Sequence, residues 1–259
     1  MRTVPAPDGI EIAYERSGDG PPLILLHGGS GCHRHWDALR PHLDEDFTLV
    51  TPDRRGRGES GDAEQYDLDR EVEDLRTLVA AVDGDPVVFG HSFGGLVALA
   101  AADEVDLDAL VLYEPALLVG EHRGDDLADR MQERLDAGER RAAMRLFIEE
   151  GGGVPDVEAL PWWPDEANLD RTETVIRENR AVEAFRLPEE PDIDVPTLLL
   201  TGERGPEHLR DAVFALRERL PDTRLVELDG VGHVATESAP ERVADAVRPF
   251  LRDSHSPES

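Results

Sequence analysis

In VVFGHSFGGLVALA (87–100), Ser92 stands between Gly90-His91 and Phe93-Gly94 in the pattern G-x-S-x-G. A β-branched apolar run precedes it and small helix-forming residues follow, which puts the serine where a strand turns into a helix. A turn that sharp lifts the hydroxyl out of a sheet, and the glycines admit close backbone approach. The helix N-terminus just beyond favours a developing oxyanion. A serine hydroxyl is a weak nucleophile at neutral pH, so a base is required. Nine histidines are available. His91 adjoins the serine, but neighbouring side chains on such a turn point apart. His233, in LDGVGHVATESAP, follows the last strand pattern and precedes the last helix pattern, where a loop can lower an imidazole over the serine. For an oxyanion, LILLHGGSG (23–31) closes an apolar run with glycines whose amides are free to point at a substrate. Gly29 is the expected donor there, paired with the N–H of Phe93 after the nucleophile. His27 fits a brace for that turn.

The elements that must hold these groups are legible as alternating patterns. EIAYERSG (11–18) reads as an exposed strand, PLILLHGG (22–29) as a strand buried on both faces, and FTLVTPDRRGRGES (47–60) as a strand and glycine-rich loop. Leu68, Val72, Leu75, Val79 and Val82 recur at helical spacing within 67–82. PVVFG (86–90), a small-residue helix at 94–103 and ALVLY (109–113) follow. The rhythm stops over 117–190, where ERRAAMRLFIEE (139–150) and RTETVIRENRAVEAF (171–185) are amphipathic helical patterns around a loop with GGG and PWWP. It resumes with PTLLLTG (196–202), a helix near 207–219, TRLVELDG (223–230) and a last helix near 240–252. The tail 253–259 is expected to be disordered. Strands alternating with helices imply a mostly parallel sheet covered on both faces, with a helical insertion after one strand.

The bulk composition narrows the partners. Acids number 57 against 27 basic residues, all of them arginine, for a net charge of −30. That charge argues against nucleic acid and anionic membrane surfaces, both of which require basic patches. It fits a protein adapted to high salt, where the Debye length shrinks to about 3 Å at molar concentration and self-repulsion is screened. The single cysteine, Cys32, excludes an internal disulfide, and no signal-peptide pattern opens the chain, so a soluble cytoplasmic protein is expected. Cys32-His33-x-His35 offers three ligand types in one loop without a fourth, so no metal is expected. Arg54, Arg55 and Arg57 are expected in salt bridges, and Trp162 and Trp163 line a pocket or pack the insertion.

HGG (27–29), PDRRGRGES (52–60), GHSFGG (90–95), the insertion after LYEP (113–116), LLLTGE (198–203) and GVGHVA (230–235) occur in an order that resembles the α/β-hydrolase superfamily. The resemblance spans nearly the whole chain. It implies an α/β fold with a mainly parallel eight-stranded sheet, helices on both faces and a helical cap after the sixth strand. The core would be 1–116 and 191–252, and the cap 117–190. It implies a Ser-acid-His triad, with the acid a few residues after TLLLTG in a pattern like G-x-x-D. Here that pattern reads Gly202-Glu203-Arg204-Gly205, so the usual place holds glycine. Glu114, which closes ALVLYEP and precedes the insertion, is the favoured replacement, and Glu203 the alternative; a purely structural Glu114 carboxylate bonded to the elbow backbone is the other reading. The family implies a cofactor-free serine hydrolase acting on a small ester or related acyl compound. C–C bond hydrolysis and haloperoxidase-type perhydrolysis share the triad, and a non-catalytic ligand receptor shares the fold.

Overall fold

In the computed structural model, residues 1–160, 163 and 169–254 are described. They form one eight-stranded sheet in the order β1-β2-β4-β3-β5-β6-β7-β8. The strands are β1 (Arg2–Pro5), β2 (Glu11–Ser17), β3 (Pro22–Leu26), β4 (Thr48–Pro52), β5 (Val87–His91), β6 (Ala109–Tyr113), β7 (Thr197–Gly202) and β8 (Thr223–Leu228). β2 runs antiparallel to both β1 and β4, and every other pairing is parallel.

The continuous apolar runs are explained by burial on both faces. Ile24, Leu26, Val88, Leu110, Leu112 and Leu199 face one hydrophobic cluster. Leu23, Leu25, Val87, Phe89, Val111, Leu198 and Leu200 face the other. This is the period of two that a pleated strand imposes. The first face is covered by α1 (Leu68–Ala80), α2 (Phe93–Ala101) and α6 (Glu207–Arg219), the second by α7 (Ala235–Ser238), α8 (Pro240–Ser254) and the turn ending at Trp36. Asp67 caps α1 by accepting a 3.0 Å hydrogen bond from the Arg70 amide.

Between β6 and β7 the chain leaves the sheet and builds α3 (Leu127–Asp136), α4 (Arg140–Leu146) running into a π-helical turn (Phe147–Gly151), and α5 (Thr172–Ala184). Leu127, Met131, Met144, Ile148, Val157, Trp163, Val175 and Ile176 form a separate cluster inside this insertion. Its two ends belong to the sheet: Leu117, Leu118, Val119, Val182 and Leu187 join the core cluster. Among the described residues no helix is long and apolar enough to cross a membrane.

Three expectations change. β1 carries no strand signal, because four edge residues with only Val4 half-buried show no alternation. β2 is not exposed, since Ile12, Ala13 and Tyr14 are buried beneath the hairpin. The tail does not begin at 253: Asp253 and Ser254 extend α8, and the remainder of the expected disordered segment lies outside the described residues.

β3 is followed in the chain by β4 on one side and neighboured by β5 on the other, so the connections from β3 and β5 diverge at their C-terminal ends. Such a switch point opens a crevice above the sheet. The register pairs Leu26 with Gly90, which brings the loop after β3 alongside Ser92. Closeness there depends on Gly94, where a Cβ would lie 2.3 Å from the Leu26 carbonyl oxygen and 2.6 Å from that of His27. We expect Gly94→Ala to cost about 2–3 kcal/mol or more through overpacking, read from denaturant unfolding; unchanged stability would show that α2 does not bear on β3 as described.

Candidate active site

Ser92 stands between β5 and α2 with φ 54° and ψ −120°, outside the helical and strand regions. Its amide donates to the Tyr113 carbonyl at 3.1 Å, and its carbonyl accepts from Gly95, Leu96 and Ala116 at 2.9, 3.1 and 2.9 Å. Those four bonds hold a strained backbone, and strain of that kind persists only where surroundings enforce it. The side chain faces a narrow cleft lined also by Gly29, Phe93, Leu118, Phe147, Glu178 and His208.

The loop after β3 is held from behind. The Arg54 guanidinium donates to the carbonyls of His27 (3.1 Å) and Gly28 (3.2 Å), Arg57 to that of Gly29 (2.9 Å from Nε), and Arg171 to that of Ser30 (2.7 Å). In a trans peptide the N–H points opposite to the C=O before it. Drawing the Gly28 carbonyl onto Arg54 therefore turns the Gly29 amide the other way. Among the described residues neither the Gly29 nor the Phe93 N–H has a hydrogen-bond partner. His27 is the expected brace: the Arg54 amide donates to Nε2, so Nδ1–H donates to the Gly28 carbonyl at 2.8 Å. Burial, with the Arg54 charge second, holds its pKa well below the ordinary imidazole range.

His233 and Glu114 meet. Nδ1 of His233 lies 2.7 Å from Oε2 of Glu114, with the carboxylate fully buried. Oε1 of Glu114 accepts from the Thr201 hydroxyl at 2.9 Å and the Gly202 amide at 2.8 Å. Glu114 itself adopts φ 43°, rare for a residue with a Cβ, at the point where the chain leaves β6. The loop carrying His233 is tied down by the Tyr113 hydroxyl, which donates to the Gly232 carbonyl at 2.5 Å. The His233 ring lies 4.5 Å from that of His91, and His91 Nε2 bonds the His233 carbonyl at 2.8 Å. His91 thus supports the loop; burial, then His233, holds its pKa well below the usual range. Among the described residues Nε2 of His233 has no hydrogen-bond partner, and none joins it to the Ser92 hydroxyl in this state; such contacts often tighten only when substrate binds.

Glu203 is not brought to His233. It is exposed, and its Oε2 accepts from the Gly230 amide at 2.8 Å. The glycine at the usual acid position has a steric reason. A Cβ on Gly205 would lie 2.0 Å from Oε1 of Glu114, so the carboxylate fills the space that a side chain there would need.

Residues 23–246 match the sequence profile of the Alpha/beta hydrolase family. The chain belongs to that family. Lipase LipV of Mycobacterium tuberculosis is 31% identical over 266 residues, covering 93% of this hydrolase and 98% of LipV. An alpha/beta hydrolase from Sphaerobacter thermophilus is 32% identical with a TM-score of 0.84, covering 98% of this chain and 100% of that one. A thermophilic esterase from Thermogutta terrifontis, whose structure has malate bound, is 25% identical with a TM-score of 0.82, covering 99% and 100%.

The other residues of the hydrolase singled out in the sequence have structural partners of their own. Trp163 packs inside the insertion cluster, under Arg141 and Arg145 at 5.5 and 5.7 Å from its ring, and does not line the Ser92 cleft. Trp162 lies outside the described residues. His33 bonds Asp53 Oδ1 through both its amide (2.7 Å) and Nδ1 (2.9 Å), whereas His35 turns to Glu237 (3.0 Å) and Thr236 (3.0 Å). Cys32 and His33 lie near Asp53 rather than converging with His35. Arg55 forms the expected salt bridge, bidentate to Asp74 at 2.7 Å.

Arg54 and Arg57 do more than bridge surface acids. Both reach Oε1 of Glu178 on α5, at 2.9 and 2.7 Å, and Arg54 also holds Glu71 at 2.8 Å. Burial disfavours the charge on Arg54, but Glu178 and Glu71 more than offset it, and its pKa is raised. Glu71 is pushed up to about 7, by burial first and against the pull of Arg54. Sequence reasoning missed Glu178 because its partners are more than 120 positions away.

The fixed carboxylate gives a test. Glu114 cannot swing aside without losing three bonds, so Gly205→Ala should lower Tm by roughly 4–8 °C, from about 2 kcal/mol of overpacking. Glu203→Ala, at an exposed site, should leave it within about 1–2 °C, since such surface changes stay near 0.5 kcal/mol. An unchanged Tm in Gly205→Ala would contradict the packing of Glu114 described above.

Proposed function

We propose that this hydrolase cleaves a small ester through an acyl-enzyme on Ser92. The observation that carries the reading is the buried 2.7 Å contact of His233 with Glu114, the His233 ring lying tilted at 4.5 Å from that of His91, the residue preceding Ser92. With Nδ1–H donated to Glu114, His233 presents a lone pair at Nε2 as a general base. Ser92 Oγ bonds to the carbonyl carbon as its proton passes to Nε2, and the carbonyl π pair moves onto oxygen. The amides of Gly29 and Phe93 hold that oxyanion, with Arg54 and Arg57 fixing the Gly29 loop behind them. Collapse expels the alkoxide, which takes the proton from Nε2. Water then repeats the sequence on the acyl-serine and releases the acid. Glu114 stabilises the imidazolium at each stage without accepting its proton.

The lipase and esterase names among relatives support an acyl substrate. The insertion, 117–190, we read as the cap that shapes the substrate end of the cleft, because Leu127, Phe147, Glu178 and Val182 all line it.

Hydrolysis of p-nitrophenyl acetate, measured in molar KCl because of the −30 charge, tests the proposal. Ser92→Ala should lose on the order of 10³-fold or more in kcat and Glu114→Gln on the order of 10²-fold or more, while Glu203→Gln stays near wild type. A folded Glu114→Gln with full activity, or a folded wild type without turnover, would refute it.

A further inference from the structure

Among the described residues, Glu178 is the one fully buried carboxylate lining the cleft, and its two oxygens have different fates. Oε1 is held by Arg54 and Arg57. Oε2 is buried with no hydrogen-bond partner. A Cβ on Gly29 would stand 3.3 Å from Oε2 and 3.0 Å from Cζ of Phe147, so the unpartnered oxygen, the Phe147 ring and the oxyanion loop meet at one corner of the cleft. The guanidinium that holds Oε1 also holds the Gly29 carbonyl, so carboxylate and oxyanion amide are fixed to one rigid group.

A bare carboxylate oxygen in that corner is costly in two ways. It has lost water without gaining a donor. It also lies beside the Gly29 loop, where the proposed mechanism places the growing negative charge of the substrate carbonyl, and between buried groups such repulsion is weakly screened. A donor carried by the substrate removes both penalties. We propose that Oε2 of Glu178 accepts a hydrogen bond from a hydroxyl on the acyl chain, one or two carbons from the ester carbonyl, and so selects hydroxy-acid esters. This rests on the ester-hydrolase reading.

The charges nearby favour a neutral hydroxyl. Arg54 and Arg57 already balance Glu178, so the corner does not call for a further cation. Among the described residues the other charged groups lining the cleft are Asp125 and Glu183, and no arginine is in that lining, which disfavours an acyl chain bearing a second carboxylate. His208, also in the lining, is held toward its neutral form by burial and then by His233.

The test compares ethyl butanoate with ethyl 2-hydroxybutanoate and ethyl 3-hydroxybutanoate, by pH-stat in molar KCl, for wild type and Glu178→Gln. Wild type should favour one hydroxy ester in kcat/KM by about tenfold to a hundredfold, the range of a hydrogen bond to a charged acceptor. In Glu178→Gln, which puts a donor where the acceptor stood, that ratio should fall below about threefold. The ratio is the readout, so a general loss of rate does not enter it. Should Glu178→Gln fail to fold, inhibition of wild type by 1-hydroxybutan-2-one and butan-2-one replaces it, with the hydroxy ketone expected to bind about tenfold more tightly. A wild-type preference under about threefold, a preference that survives Glu178→Gln, or equal inhibition by the two ketones would overturn the proposal, with water rather than substrate satisfying Oε2. Turnover without preference defeats this inference alone. No turnover of any ester by folded wild type defeats the ester-hydrolase reading and this one together.

Discussion

The site depends on where one buried carboxylate sits. Glu114 has no access to solvent, so its charge must be met entirely by the protein. Thr201, the Gly202 amide and His233 supply the three hydrogen bonds, and each comes from the strand or loop that follows the insertion in the chain. The carboxylate therefore stitches the end of β6 to the end of β7 and to the loop after β8. Removing one of its partners would leave a buried charge short of a donor, which costs more than the same hydrogen bond contributes when made. The positive φ of Glu114 is the local strain that this arrangement sustains.

A second buried polar group joins the insertion to the sheet. Arg54 and Arg57 leave the loop after β4, hold the carbonyls of the loop after β3, and end on Glu178 of α5. The same two side chains thus set the direction of the Gly29 amide and anchor the helix that covers it. Arg54 also lies 4.7 Å over the Phe93 ring, so one guanidinium touches both the Gly28–Gly29 peptide and the side chain that follows Ser92. Buried ion pairs are weak sources of net stability, but they specify geometry where a greasy contact would slide. Here the geometry they specify is the spacing between the loop after β3 and the insertion.

Much of this was legible in the sequence, for identifiable reasons. β3, β5, β6 and β7 announce themselves because strands buried on both faces are largely apolar, and glycines at or just past the ends of β3, β5 and β7 close them. Ser92 is marked by the glycines on either side, which exist because backbone from β3 and α2 crowds the turn; at Gly90 a Cβ would meet the Gly94 carbonyl oxygen at 2.5 Å. His233 and Glu114 were reachable through chain order and the strand ends they close. What stayed hidden was pairing across distance. Nothing near Glu178 signals that two arginines more than 120 residues earlier will bury its charge. The edge strand β1 was missed because a half-exposed edge imposes no periodic pattern. Gly205 read only as a missing aspartate; its meaning is a volume already occupied, and a volume is not written in a local sequence.

If Glu114 and the residue at 205 compete for one site beside His233, the acid can be moved back. The direct measurement is ester hydrolysis by Glu114→Gly/Gly205→Asp against Glu114→Gly alone, with glycine chosen because position 114 needs a positive φ. Glu114→Gly removes the clash that would defeat Gly205→Asp, and Gly205→Asp returns the carboxylate that Glu114→Gly takes away, so the pair should be strongly non-additive. The double variant is predicted to recover about tenfold or more of the activity lost by the single one, since a well-placed acid restores imidazole orientation. A folded double variant no faster than Glu114→Gly would contradict the claim that Glu114 stands in the place of the missing aspartate.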